Sequence, residues 1–208
     1  MSTFKLTYFD SPGRAEPIRV ALHMSGIAFD DVRLKFPQFI EGKARGDYPL
    51  GSVPVLEIDG KPVVQTGAIL RYIARIGDTS LYPSDPAVAL AVDSALDTLN
   101  DTVSSAMLPS LFERDPVKKL AMRVELAAGP LARAYRYIEG LIERTGGPFI
   151  GGEHLSIADL VLAQQVLQIR SGGLDGLSAA TLAPYPRISA MADAYAADPR
   201  VIRYQSKA

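Results

Sequence analysis

The sequence predicts an α/β unit followed by an all-helical one. Three observations carry this. Strand-period and helix-period stretches alternate from Phe4 to Gly77 in the order β-α-β, loop, β-β-α. A polar, proline-marked stretch follows, Asp78 to Pro86, holding Pro83-Ser84-Asp85-Pro86. Beyond Pro86 the strand signal vanishes, and Ala, Leu and Val recur at helical spacing. With 208 residues, the chain can build two small cores. The expected division is residues 1–78, a linker at 79–86, and a helical domain at 87–208.

The elements follow in order. Phe4, Leu6 and Tyr8 alternate with Lys5 and Thr7, as in a half-buried strand. Ser11-Pro12-Gly13 is a turn. Ala15, Ile18, Ala21 and Leu22 recur at helical spacing, and Gly26 suits a C-terminal stop. Phe29 to Leu34 reads as a second strand. Residues 35 to 53 hold Pro37, Gly42, Gly46, Pro49 and Gly51, and read as mostly irregular. Val55 to Ile58 is a short apolar strand, and Asp59-Gly60 is a two-residue hairpin signal in which both positions need positive φ. Val63-Val64 returns as the partner strand and runs into Gln65-Thr66. A helix then opens, with Ile69, Leu70 and Ile73 on one side. Pro54 cannot donate to a ladder, so it sits just before its strand and leaves the Val53 backbone exposed. A strand that runs straight into a helix start directs free N–H groups one way, which suits a carboxylate ligand.

In the second half, Ser84 or Asp85 can cap a helix with Pro86 in its first turn. Pro109 interrupts the run from 87 to 108. Asp115-Pro116 starts a long helix reaching Arg144, which Gly129-Pro130 should kink or divide. Gly146-Gly147-Pro148 is a loop. Ser156-Ile-Ala-Asp159 is a capping-box start, with Leu155 and Leu160 in staple positions. A last helix spans Ile188 to Ala197, before Pro199.

Composition narrows the function classes. Lys and Arg number 22 against 23 Asp and Glu, with no long block of one sign, so nothing points to nucleic acid or an anionic membrane surface. Apolar runs fall far short of the ~18 residues of a spanning helix. The strand pattern begins by Phe4, so no signal peptide is expected. There is no cysteine, which removes disulfides, thiolate metal sites, a Cys nucleophile and self-contained dithiol chemistry. His23 and His154 are the only histidines and form no ligand-spaced set, so no metal is expected.

Taken together, Val53-Pro54, Asp59-Gly60 and Gln65-Thr66 opening Ala68-Ile-Leu-Arg-Tyr72 resemble the glutathione-binding half of a cytosolic glutathione S-transferase. The run Leu6-Thr-Tyr-Phe-Asp-Ser-Pro-Gly-Arg-Ala-Glu-Pro-Ile-Arg19 is similar to the tyrosine-type members, most closely the sigma class. The resemblance covers the whole chain. It implies a thioredoxin-like N-terminal domain and an all-α C-terminal domain. It also implies transfer of glutathione to hydrophobic electrophiles in a detoxifying, cytoplasmic homodimer, with peroxidase or isomerase activity as variants. The other reading is a ligand-binding or structural protein on the same fold; retention of Tyr8, Gln65 and Thr66 speaks against it.

Without cysteine, any sulfur chemistry uses the ligand's thiol. Lowering a thiol pKa from ~8.5 by ~2 units requires about 2.7 kcal/mol of preference for the anion. One short hydrogen bond from a hydroxyl in a dry pocket is of that order. The resemblance implies that Tyr8 is this donor, with Arg14 in support; other classes use a serine, and Ser11 lies in the same loop. It further implies that Val53 pairs its backbone with the cysteinyl part. Pro54 is then cis, Gln65 and Thr66 hold the γ-glutamyl carboxylate, and Lys43 holds the glycine carboxylate. Phe39 stands where a tryptophan is usual, losing an indole N–H. Ser52 stands where a longer polar or basic side chain is common, and Thr66 keeps a hydroxyl where serine is usual. Asp97-Thr-Leu-Asn-Asp101 is similar to the sigma segment whose last acid crosses the dimer to the γ-glutamyl ammonium of the neighbouring chain. For the electrophile, Phe9, Pro12, Met107, Leu108 and Leu111 are the expected walls.

Overall fold

The computed structural model describes residues 2–77 and 79–206; Asp78, expected to open the linker, lies outside them. The chain forms two compact units, one running to Thr79 and including the residues from Arg203 on, the other Ser80–Ile202.

The first unit contains β1 (Phe4–Phe9), α1 (Glu16–Met24), β2 (Asp30–Leu34), α2 (Phe36–Arg45), β3 (Val55–Ile58), β4 (Lys61–Val64) and α3 (Thr66–Ile76). The four strands lie in the order β2-β1-β3-β4. β1 runs parallel to β2, as the intervening α1 allows, and antiparallel to β3. β3 and β4 form the expected hairpin, with Asp59 at φ 50° and Gly60 at φ 75°. β1 is central, so Leu6, Thr7 and Tyr8 are all buried. The half-buried alternation expected for this strand is therefore corrected: flanked by β2 and β3, it has Thr7 inside as well as Leu6 and Tyr8.

Residues 35 to 53 are also corrected. Ten of them form α2. Pro37 sits in its first turn, where a missing N–H costs nothing, and the Gln38 side chain accepts from the Lys35 N–H at 2.7 Å. Gly42 is there for space: a Cβ would collide with the Tyr48 hydroxyl.

The second unit is helical: α4 (Pro86–Asp97), α5 (Ser105–Phe112), α6 (Pro116–Leu126), α7 (Ala132–Thr145), α8 (Ile157–Arg170), α9 (Ala179–Leu182) and α10 (Pro186–Ala197). Its caps are those expected. Asp85 accepts from the Ala87 and Val88 N–H groups at 2.8 and 3.0 Å, and Asp115 from Val117 and Lys118 at 2.9 and 3.2 Å. Asp159, fully buried, accepts from the Ser156 N–H at 2.8 Å, the Ser156 hydroxyl at 2.6 Å and the Ile150 N–H at 3.0 Å.

Pro109 does not end its helix, which runs on to Phe112. Upstream of it the chain is π-helical at Thr98–Ser104. There the Ser104 hydroxyl donates to the Leu99 carbonyl at 3.0 Å and that of Ser105 to Asn100 at 3.3 Å, supplying carbonyls that the widened ladder leaves short. Gly129-Pro130 falls in a second π-helical turn, Ala127–Leu131, which divides α6 from α7 as expected.

Pro199 is not the end of the helical part. It opens α11 (Pro199–Gln205), with the Asp198 carboxylate accepting from the Arg200 N–H at 2.8 Å. The end of α11 clusters with the first unit, where the Tyr204 hydroxyl donates to Glu16 at 2.8 Å. That return is absent from the expected division, in which 87–208 forms one helical block.

Candidate functional site

Tyr8 lies on the central strand and is 8% exposed. The turn after β1 folds back over it. Gly13 sits at φ +44° against the ring, where an added Cβ would lie 2.5 Å from the hydroxyl oxygen. The next residue, Arg14, donates its backbone N–H to that oxygen at 3.2 Å. A phenol oxygen that accepts here keeps its own O–H hydrogen to give elsewhere. The Ser11 side chain is exposed, and its backbone carbonyl is occupied by Arg19 at 3.0 Å.

The Arg14 side chain reaches the other half of the site, donating Nη2 to the Val53 carbonyl at 3.2 Å. One residue thus touches the Tyr8 hydroxyl with its backbone and the strand-edge segment with its side chain. The Val53–Pro54 peptide is cis, and both residues are buried. Ser52 is exposed beside them.

Lys43 on α2 lies over this segment: a Cβ at Gly51 would sit 3.3 Å from its Cε and 3.8 Å from its Nζ. Its ammonium is 5.9 Å from the Phe39 ring centre. Phe39 stacks on Tyr48 at 5.4 Å and meets Phe9 edge-on at 5.0 Å, and Phe9 meets Tyr8 at 5.4 Å. An aromatic row therefore joins the phenol to the lysine. Lys43 forms no ion pair among the described residues, so its charge is available to an anion.

Gln65, exposed, takes φ 75° and ψ 106°, a conformation that costs a non-glycine residue about 1–3 kcal/mol. Such strain concentrates at ligand clamps. Thr66 begins α3 and is buried. The exposed Gln65 amide thus stands at the N-terminus of a helix, where the first N–H groups attract a carboxylate.

Of the remaining expected residues, Phe9 and Pro12 lie in the first unit and the others in the second. Phe9 is half-buried and Pro12 exposed. Asp101 is exposed on the π-helical stretch. Leu108 and Leu111 are 42% and 48% exposed, whereas Met107 is 9% exposed and packs into its unit's interior. Three residues at the site escaped sequence reasoning. Gly13 carries a steric signal that only its contact with Tyr8 reveals. Tyr48 is one aromatic among nine tyrosines, in a stretch expected to be irregular. Arg19 is a charged residue on a helix, a position ordinarily solvated, yet it is 1% exposed.

A strand-held hydroxyl, a cis-proline edge and a strained helix start are gathered on one α/β unit, with a helical unit after it. The comparisons give the chain a family. Residues 4–75 match the model of the glutathione S-transferase N-terminal domain, and residues 100–208 that of the C-terminal domain. Glutathione S-transferase 3 of Caenorhabditis elegans is 31% identical over 173 residues, covering 80% of this chain and 80% of that one. Glutathione S-transferase 3 of Gallus gallus is 34% identical over 175 residues, covering 83% and 74%. The solved structure of prostaglandin synthase D of Nilaparvata lugens aligns at a TM-score of 0.83 and 28% identity, covering 99% of this chain and 98% of that one. The chain belongs to the glutathione S-transferase family and is an enzyme that joins the glutathione thiol to electrophiles.

Proposed function

We propose that this transferase is of the tyrosine type, closest to the sigma class, and works as a cytoplasmic homodimer. Tyr8 donates its O–H to the glutathione sulfur and so favours the thiolate. The carrying observation is the Arg14 N–H on the Tyr8 oxygen, with the Arg14 guanidinium on the Val53 carbonyl. A charge-assisted hydrogen bond contributes about 1.5–3 kcal/mol, enough to lower a thiol pKa by one to two units. Residues 1–78 form the glutathione-binding domain, 79–86 the linker and 87–208 the helical domain, with the end of α11 returning to the first. Val53 pairs with the cysteinyl part, Lys43 takes the glycine carboxylate across Ser52 and Phe39, and Gln65 and Thr66 take the γ-glutamyl carboxylate. Phe9, Pro12, Leu108, Leu111 and, less so, Met107 are apolar surfaces for the electrophile. No metal is used. Isomerisation on the same thiolate is favoured as a second activity by the likeness to prostaglandin synthase D of Nilaparvata lugens.

Calorimetric titration tests the binding half. Glutathione binding is expected in the wild type, and Gln65→Ala should weaken it several-fold or more. An absence of binding heat at millimolar ligand would contradict the proposal.

Asp101 is proposed to accept from the γ-glutamyl ammonium of the partner's glutathione, since an ammonium leaving water needs an acid. Mixed dimers test this. Pairing an Asp101→Ala chain with a Gln65→Ala chain should give one intact site and one doubly defective site. Two singly impaired sites would place the acid within its own subunit, and a monomer by light scattering would remove the sharing.

A further inference from the structure

We propose that Arg19, outside the glutathione contacts, is a positioning residue that sets the Tyr8 hydroxyl. The inference rests on Tyr8 as the thiol's donor. Arg19 lies on α1, 1% exposed, behind the turn that carries the site. Its guanidinium is divided between two tasks. Nε donates to both carboxylate oxygens of Asp31 on β2, at 3.1 and 3.0 Å. Nη1 donates to the Ser11 carbonyl at 3.0 Å and the Pro12 carbonyl at 3.4 Å, and pairs with Glu16 at 3.3 Å. Those two carbonyls belong to the residues just before Gly13, which seats the Tyr8 ring, and Arg14, whose N–H meets its oxygen. The chain of contacts from Arg19 to the phenol is therefore Arg19, the turn backbone, the Arg14 N–H, and Tyr8.

The surroundings fix Arg19 in turn. Asp31 also accepts from Arg33 at 2.9 Å, and Arg33 pairs with Asp10 at 3.4 Å. Glu16 accepts from the Tyr204 hydroxyl at 2.8 Å, at the end of α11. Burial, and then the Glu16 charge, push the Tyr204 phenol well above its usual value, so it stays a donor at working pH. The charged and titratable groups facing Arg19 are thus Asp31, Glu16, Arg33, Asp10 and Tyr204.

Stability alone is a poor reason for this arrangement. A buried ion pair roughly balances its own desolvation. Here Nη2 is buried without a hydrogen-bond partner among the described residues, an uncompensated cost. What a guanidinium supplies is a planar fork that holds a carboxylate and two carbonyls in one geometry. An ammonium offers only a point charge on a shorter reach.

The test uses the full-length protein with bound glutathione. The bound thiol is titrated by thiolate absorbance, and kcat and KM are measured for Arg19→Met, Arg19→Lys and Tyr204→Phe, alone and combined with Tyr8→Phe. Arg19→Met should raise the bound thiol's pKa by about one unit and so lower kcat about tenfold below that pKa. Glutathione affinity should change less than kcat, Arg19→Lys should not restore the wild-type titration, and Tyr204→Phe should shift it the same way by less. In the Tyr8→Phe background Arg19→Met should have no further effect on kcat. An unchanged thiol pKa in Arg19→Met, or equal losses in both backgrounds, would overturn the inference while leaving Tyr8 in its role. If Arg19→Met does not fold, Tyr204→Phe decides by its own titration, and an unshifted thiol there overturns the inference. A bound thiol indifferent to Tyr8→Phe itself would overturn both.

Discussion

Among single residues, Gly13 controls the site most simply. A side chain there meets two obstacles: a φ of +44°, and the Tyr8 hydroxyl 2.5 Å from the new Cβ. The rigid backbone of the turn cannot yield without moving the Arg14 N–H, so the phenol must. Gly13→Ala should lower kcat by about ten- to a hundredfold, the usual cost of displacing a reacting group by about an ångström. Glutathione affinity should fall less, because the obstacle is the Tyr8 ring rather than Val53, Lys43 or Gln65, the proposed glutathione contacts. Steady-state kinetics beside calorimetry separate the two; equal losses in kcat and affinity would contradict this. Arg14→Ala is a contrasting case. It keeps the N–H on Tyr8 and loses the bond to Val53. It should therefore act mainly on KM.

At the scale of elements, the capping box of α8 has a pH dependence that can be signed. Burial pushes the Asp159 carboxyl up to about 6, against the opposing hydrogen bonds from Ile150 and Ser156. Its folded-state pKa is thus above the unfolded value of about 3.9. A group raised in this way contributes stability that is complete below the unfolded pKa and lost as pH rises through the folded one. From pH ~4 to ~7 this loss is on the order of 2 kcal/mol, since one pKa unit is worth 1.36 kcal/mol and the unfolded carboxyl is already partly ionised at pH ~4. Asp159→Asn removes the titration and places an amide against N–H donors, so it should destabilise at every pH. The deficit should be largest near pH 4 and smaller near pH 7. Urea unfolding of both proteins at the two pH values checks it, and a pH-independent deficit would contradict the assignment.

The same scale shows what the sequence makes legible. Local rules with a strong chemical signal carried over: the Asp59-Gly60 hairpin, the Asp-Pro starts of α4 and α6, and the Ser156–Asp159 box. The Asp-Pro start recurs at Asp198-Pro199, where it opens α11. There Pro199 follows one helix and, by the same chemistry, opens the next. α2 was hidden because Pro37 and Gly42 break a propensity count. One occupies a first turn and the other makes room for Tyr48, a contact no local window contains. The π-helical stretches were visible as proline positions but not as register changes. At the candidate site, Tyr8, Val53-Pro54 and Gln65-Thr66 are legible as candidates from their place in a recurring pattern. Gly13 and Arg19 could not, since their roles are set by distance and burial alone.

Taken whole, the molecule has the end of α11 in its first unit. Tyr204 reaches Glu16 at 2.8 Å, and its ring lies 5.6 Å from that of His23. Ending the chain at Ile202 removes a hydrogen bond to a charged acceptor, worth about 1.5–3 kcal/mol, together with the ring's packing. For a protein of this size that lowers Tm by about 3–12 °C. Calorimetry of the truncated chain reads it directly, and an unchanged Tm would show that the return carries no stability.

The most direct measurement is the pKa of the thiol of glutathione bound to this protein, followed by thiolate absorbance against pH. The wild type should hold it about one to two units below the free thiol. Tyr8→Phe should return it to near the free value with glutathione still bound, and Ser11→Ala should leave it where the wild type has it. A bound thiol that titrates like free glutathione in the wild type, or one that responds to Ser11→Ala and not to Tyr8→Phe, would contradict the role of Tyr8.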